Sequence, residues 1–216
     1  MHFEMIAMEV TDPHHAPRKL GRPLSFNRDM ALRQAMLTFW RYGYETASVA
    51  DLTAAMGISA PSLYAAFGDK RRLFLEAMRL YAGDANLASA ALDVAPTSRD
   101  AARELMIGAA IAYTGEDTPK GCLLASATAS GSAACADVQQ AVADVRRGVE
   151  FSLRTRIGRD IVEGVLPPGT SVVALAGLVM SVTQGMSVLA RDGAPREVLL
   201  SIVTTVLAAW PASPRC

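Results

Sequence analysis

Cysteine is scarce in this chain, and the scarcity closes off several chemistries. Cys122, Cys135 and Cys216 are too few for a disulfide framework, and their spacing matches no zinc site. Aromatic residues make up only 6% of the 216 positions, whereas strand-forming sequence favours aromatic and β-branched residues. An alternating apolar–polar run of useful length is missing, as is any internal repeat. Enzyme signatures are missing too: no glycine-rich phosphate loop after a strand, no His-Glu-x-x-His and no nucleophile elbow. Glu116 and Asp117, within Thr114–Lys120, lack a partner for acid–base work and read as a polar loop. His14 and His15 are adjacent but have no further ligands, so neither a metal nor a cofactor is expected. The first twenty residues carry Glu4, Glu9 and Asp12 and no apolar h-region, so the expected compartment is a reducing cytoplasm.

What is present points to helices. Alanine, the best helix former, fills 38 positions. Apolar residues are 51% and charged residues 19%, which excludes a disordered polymer. The formal net charge of zero hides an asymmetry. Pro17 to Arg79 holds ten Lys/Arg and five Asp/Glu, a net of +5, while the remainder holds eleven and sixteen, a net of −5. A basic N-terminal third beside an acidic remainder suggests a division of labour. Two uncharged stretches, Gly164 to Ala190 and Val198 to Pro214, are long enough to raise a membrane reading. Polar residues interrupt the first, Pro167-Pro168-Gly169 shortens it, and Pro211 cuts the second. They are expected to be helices buried against each other or against a second subunit, with no membrane partner.

Residues 1–24 read as a flexible basic arm, broken by Pro13, Pro17 and Pro23. A helical face follows at Leu32, Ala35, Met36, Phe39 and Trp40, with Ser25 or Asn27 as cap and Gly43 as the stop. Ser48, with Asp51 three residues on, predicts a capping box for the next helix, whose inner stripe is Val49, Leu52 and Met56. Gly57 ends it in the left-handed conformation. Ser59 caps a short helix with Pro61 in its first turn and Leu63 and Phe67 inward. Asp69 caps a fourth helix whose apolar face is Leu73, Ala77 and Leu80. Beyond Gly83, helices are predicted at about 98–113, 122–130, 134–159, 171–190 and 195–209, broken at Pro96, Gly115–Gly121, Gly131, Pro167-Pro168-Gly169 and Gly193.

Ser48 to Phe67 has the helix, glycine turn and helix spacing of a DNA-binding helix-turn-helix. The second helix is expected to turn Ala60, Pro61, Ser62, Tyr64, Ala65 and Ala66 outward, toward a major groove. Ser62 and Tyr64 are the side chains there that can hydrogen-bond a base edge, while alanine and proline suit a thymine methyl. Arg18, Lys19 and Arg22, around Gly21 and before Pro23, admit two readings: an extended arm in a narrow minor groove, or a basic tail of non-specific affinity.

Thr46-Ala47-Ser48-Val49-Ala50-Asp51-Leu52 and Met56 through Lys70 closely resemble the TetR family of bacterial transcriptional regulators. The likeness runs from about Phe26 to Tyr81, with the turn glycine, Leu63-Tyr64, Phe67 and Lys70 in register. The resemblance implies an all-α homodimer with a three-helix head at 25–70 for a double-stranded, palindromic operator. An effector-binding and dimerisation domain at 71–210 and a tail at 211–216 would follow. It also implies that Ser48, Tyr64 and Lys70 touch the DNA backbone, contacts that position without reading sequence. The recognition helix departs from the family pattern: Ala60, Pro61, Ala65 and Ala66 stand where many members carry lysine, glycine and a histidine pair.

In the C-terminal part, Pro119 to Leu124 is similar to a Gly-Cys-Leu-Leu segment that opens the sixth helix of some members, beside the ligand cavity. In a few of them a cysteine senses electrophiles. For Cys122, a sensor and a small buried hydrophobe are both open readings. The family's small-molecule cavity implies wall candidates Met106, Ala110, Tyr113, Cys122, Ser126, Phe151, Met180 and Gln184; none is charged, which suits a neutral effector. Dimerisation through the last two helices implies Leu175, Leu178, Val182, Met186, Leu189, Leu199, Ile202 and Val206 as contacts. The alternative to a ligand-responsive repressor is a helical small-molecule-binding protein or enzyme whose helix-turn-helix is only a structural corner.

Overall fold

The computed structural model describes residues 26–83, 91–126 and 135–212. The described residues contain helices and no strand. In chain order they are α1 (Arg28–Tyr42), α2 (Val49–Met56), α3 (Ala60–Phe67), α4 (Lys70–Ala82), α5 (Ser98–Tyr113), α6 (Leu123–Ser126), α7 (Ala136–Val162), α8 (Val172–Arg191) and α9 (Arg196–Ala208). One further helical turn lies at 91–94 and buries Leu92.

Local chemistry sets the N-terminal boundaries. Asn27, Ser48, Ser59 and Asp69 each accept a backbone amide of the helix they precede. At Ser48 the box is complete: its hydroxyl accepts Asp51 N at 3.1 Å, and its own amide donates to Asp51 Oδ2 at 2.9 Å. Gly57 then takes φ 66° and ψ 32°, the left-handed region that ends α2.

The head packs α1 against α2 and α4, with α3 closing the corner. Phe39, Leu52, Leu63, Phe67, Leu73 and Phe74 form its centre. Two expected faces shift. Leu80 is exposed and Phe74 and Met78 take its place in the core, because α4 also leans on α6 and α7. Ala66 is half-buried rather than outward, and its carbonyl accepts from Arg28 at 3.3 Å.

In the larger part, α5 packs on α7, α8 and α9, and α8 lies against α7 and α9. The predicted span 98–113 coincides with α5, and the others agree to within three residues, except that 127–134 lies outside the described residues. By length and composition α8 is apolar enough to cross a bilayer, but one of its faces packs on α5 and α7. A buried ion pair clamps α7 to the start of α5. Arg156 Nη1 and Asp160 Oδ1 lie 2.6 Å apart, a charge contact poorly aligned for a hydrogen bond. Asp160 Oδ2 also accepts from the backbone and hydroxyl of Ser98, each at 2.6 Å, and Arg156 donates to the carbonyls of Ala95 and Pro96.

Three of the expected dimer contacts are corrected by this packing. Leu175, Met186 and Leu199 are buried in the chain's own core. They share an inward stripe with Val179, Ala190 and Val203. Leu178 and Leu189 are exposed, and Val182, Ile202 and Val206 are half-buried.

Candidate nucleic-acid interface and its junction with the regulatory helices

The corner between α2 and α3 is held from inside by Leu52, Met56, Leu63 and Phe67, all buried. With Leu63 and Phe67 inward at i, i+4, the opposite face of α3 must point out. It presents Pro61, Tyr64 and Ala65 exposed, and Ala60 and Ser62 half-buried. Tyr64 is 50% exposed, a large ring left in solvent on an eight-residue helix. Ser62 is less free than the sequence suggests: its hydroxyl shares a 2.9 Å hydrogen bond with Ser59, whose oxygen also caps the helix. Ser48 is exposed and its hydroxyl donates to Asp51 at 2.6 Å, which leaves an oxygen lone pair facing out.

Lys70 departs from its expected pose. Its ammonium donates to the Glu45 carbonyl at 3.1 Å and lies 4.9 Å from the centre of the Tyr44 ring. Burial pulls its pKa down, against the opposing pull of Cys135 and Glu45. Lys70 therefore ties the loop between α1 and α2 to the start of α4. Arg28, which sequence reasoning passed over, stacks 4.3 Å from the Phe67 ring and pairs with Glu76 at 2.7 Å, bolting α1 to α3 and α4. Arg71 pairs with Asp137 and joins α4 to α7. Arg18, Lys19 and Arg22 lie outside the described residues.

The junction between head and body centres on Gly121 and Cys122. The indole of Trp40, near the end of α1, donates to the Gly121 carbonyl at 3.0 Å. Its ring meets Tyr81 edge-on at 4.8 Å, and the Tyr81 hydroxyl reaches Cys122 Sγ at 3.4 Å. Cys122 N donates to Ser187 Oγ at 2.8 Å, and Arg191 Nη2 donates to Cys122 O at 3.0 Å. Gly121 has φ 79°, and a Cβ there would come within 2.6 Å of Arg191 Nε and 2.8 Å of Ser187 O. Only glycine lets α8 lie this close. Burial first, and the Cys122 thiol second, push the phenols of Tyr81 and Tyr113 well above the usual tyrosine range. Trp40, Tyr81, Ser187 and Arg191 carry no motif, so the Gly121-Cys122 segment was the part of this cluster that the sequence signalled.

Among the described residues the eight wall candidates fall into three groups. Met106, Ala110, Tyr113, Cys122 and Ser126 are buried in the core around α5 and α6. Met180 and Gln184 line a cleft of about 440 Å³ between α7 and α8, together with Arg146, Arg147 and Glu150. Phe151 is corrected: it is 71% exposed, because Leu153 and Ile157 point inward and a residue two before Leu153 falls on the far side of α7. The expectation of an uncharged wall does not hold for Met180 and Gln184, which have two arginines and a glutamate as neighbours. Among the described residues no cluster of His, Cys, Asp and Glu is arranged for a metal.

Three comparisons bear on this geometry. The family model described as "Bacterial regulatory proteins, tetR family" matches residues 31–77, from α1 into α4. The chain is 35% identical over 193 residues to the HTH-type transcriptional repressor ComR of Escherichia coli K12, covering 88% of this chain and 92% of ComR. It is 43% identical over 63 residues to the transcriptional repressor BdcR of the same organism, 29% of this chain and 32% of BdcR. Among solved structures, a cysteine-substituted form of the regulator CifR, complexed with 26-base-pair operator DNA, superposes with a TM-score of 0.82. That match has 41% identity and covers 88% of this chain and 100% of the other.

Proposed function

Because this chain belongs to the TetR family of bacterial regulatory proteins, we propose that it represses transcription by holding a palindromic operator as a homodimer and releases it when a small molecule binds the α5–α9 body. It is a DNA-binding transcriptional regulator. One observation carries the reading: α3 presents Pro61, Tyr64 and Ala65 from a rigid corner, in a chain like CifR, whose solved form carries operator DNA. We place the DNA contacts at Ser48, Ala60, Pro61, Ser62, Tyr64 and Ala65, with Lys70 shaping the loop beside them and Arg18, Lys19 and Arg22 adding charge. The boundaries at 1–24, 25–70, 71–210 and 211–216 follow the same division of labour. A regulator of this kind works where the chromosome is, in the cytoplasm, and binds and releases rather than turns over.

Occupancy of the body must favour a state in which the heads no longer fit the operator, since a ligand shifts an equilibrium only by its differential affinity. Trp40 and Tyr81, both bonded or stacked at the Gly121–Cys122 junction, are the route by which a shift near α8 reaches α1 and α4.

The test is fluorescence-anisotropy binding to the DNA just upstream of its own coding region, with scrambled DNA as control and a salt series. Tight binding at two subunits per palindrome, surviving competitor DNA, is expected. Equal weak binding to both DNAs that vanishes with salt would leave only arm electrostatics and overturn autoregulation.

A further inference from the structure

A cleft of about 350 Å³ opens where the turn between α8 and α9 meets the loop after α5, and its lining includes Thr114, Glu116, Lys120, Arg191, Arg196 and Glu197. Lys120 Nζ donates to the carbonyls of Thr114 at 3.2 Å and Gly115 at 2.9 Å. Arg196 Nε donates to Thr114 Oγ1 at 2.9 Å, and Arg191 Nη2 to Cys122 O at 3.0 Å. All three cations are held by neutral acceptors. The ion pairs among the described residues involve neither them nor the two glutamates of the cleft. Elsewhere in the body, Arg103, Arg147, Arg154, Arg156 and Arg159 are each paired to a carboxylate.

Neutral acceptors fix the position of a charge without cancelling it. Three positive groups around one concavity therefore keep their attraction for an incoming anion, and two of them are guanidiniums, whose planar forks suit a carboxylate or phosphate. The first turn of α9 forms one wall, and Pro195 leaves it without a side-chain cap. Glu116 and Glu197 disfavour a polyanion and suit a ligand that carries a hydroxyl or amino group beside its oxyanion.

We propose that this cleft binds a small organic oxyanion bearing such a group, and that occupancy loosens the latch between α8 and the head. An oxyanion on Arg191 competes with the Cys122 carbonyl for the same guanidinium. The neighbouring peptide unit, Gly121, is packed under Arg191 and holds Trp40 through its carbonyl. The site itself is independent of the operator reading; its effect on DNA rests on that reading.

Full-length protein is titrated by calorimetry with glycerate and with glycerol 3-phosphate, at ionic strength matched with chloride. Saturable binding of one of them is expected, the two arms separating carboxylate from phosphate recognition. Affinity falls about tenfold or more in Arg196→Gln and Lys120→Gln, the loss of one charge-assisted contact, and is unchanged in Arg103→Gln. Circular dichroism confirms that each variant folds. In a Trp210→Phe background the ligand shifts Trp40 emission, and in the wild type it weakens operator binding about fivefold or more. Absence of saturable binding by both probes, or equal binding by the cleft variants, overturns the site. Binding that leaves Trp40 emission unchanged overturns the coupling. A protein that shows the ligand response but no operator binding refutes the repressor reading alone.

Discussion

Tyr64 stands on an eight-residue helix with half its surface in solvent, while Leu63 beside it is fully buried. Because Leu63 and Phe67 take the inward face of α3, the Tyr64 ring and hydroxyl stay on the outward face, open to a partner rather than to the core. Tyr64→Ala is expected to lower operator affinity about tenfold, the size of one hydrogen bond to a charged group, and to leave the thermal midpoint unchanged. Anisotropy titration and a thermal melt on the same sample check both halves; a fall in the midpoint with unchanged affinity would make Tyr64 a packing residue. Lys70 teaches the opposite lesson. Its position in the motif was readable, but its bond to the Glu45 carbonyl and its place beside the Tyr44 ring arise from a loop whose path no local pattern encodes.

At the scale of the element, caps decide where helices begin. The α2 box depends on the Asp51 carboxylate, which accepts from the side chain and backbone of Ser48, and these bonds pull its pKa below the ordinary 3.8. Its folded pKa is thus lower than its unfolded one. The contribution is present in full above the unfolded value and is lost as pH falls through the folded value. Asp51→Asn should therefore flatten the acid limb of the head's unfolding curve while leaving its slope near neutrality unchanged, as read by circular dichroism in denaturant at a series of pH values. The Arg156–Asp160 clamp between α7 and α5 is buried. Asp160→Ala strands Arg156, whose side chain is 3% exposed, and should cost about 3–5 kcal/mol in a urea unfolding experiment. Replacing both, Arg156→Met with Asp160→Leu, should cost clearly less, because no uncompensated charge stays behind.

At the scale of the whole molecule, the outer faces of α8 and α9 leave apolar side chains without cover among the described residues. Leu178, Val188, Leu189 and Val198 are exposed, each at 40% or more. No charged residue falls between Val172 and Ala190, or after Glu197 within α9. A second copy of the same faces about a two-fold axis would bury them. Leu178→Glu, at 44% exposure, should leave the monomer folded and shift sedimentation toward the monomer. Operator affinity should fall with it, since two heads must act together on a palindrome. A dimer that survives this substitution would move the interface elsewhere.

Helix starts and the α2–α3 corner are written locally in the chain. Caps at Asn27, Ser48, Ser59 and Asp69, a left-handed Gly57, and apolar spacing at Leu52, Met56, Leu63 and Phe67 act within a turn or two of chain. Such short-range signals survive without knowledge of the fold. Which stripe of an uncharged helix faces inward depends on the neighbours it packs against. In α8 there is no charged side to set the phase, so Leu175 and Met186 turning inward while Leu178 turns outward is settled by α5 and α7, not by α8 itself. The same holds for the Gly121–Cys122 junction. Trp40 on α1, Tyr81 on α4, and Ser187 and Arg191 one turn apart on α8 come from three distant parts of the chain, and their meeting with Gly121 and Cys122 is a property of packing, which no spacing along one helix records.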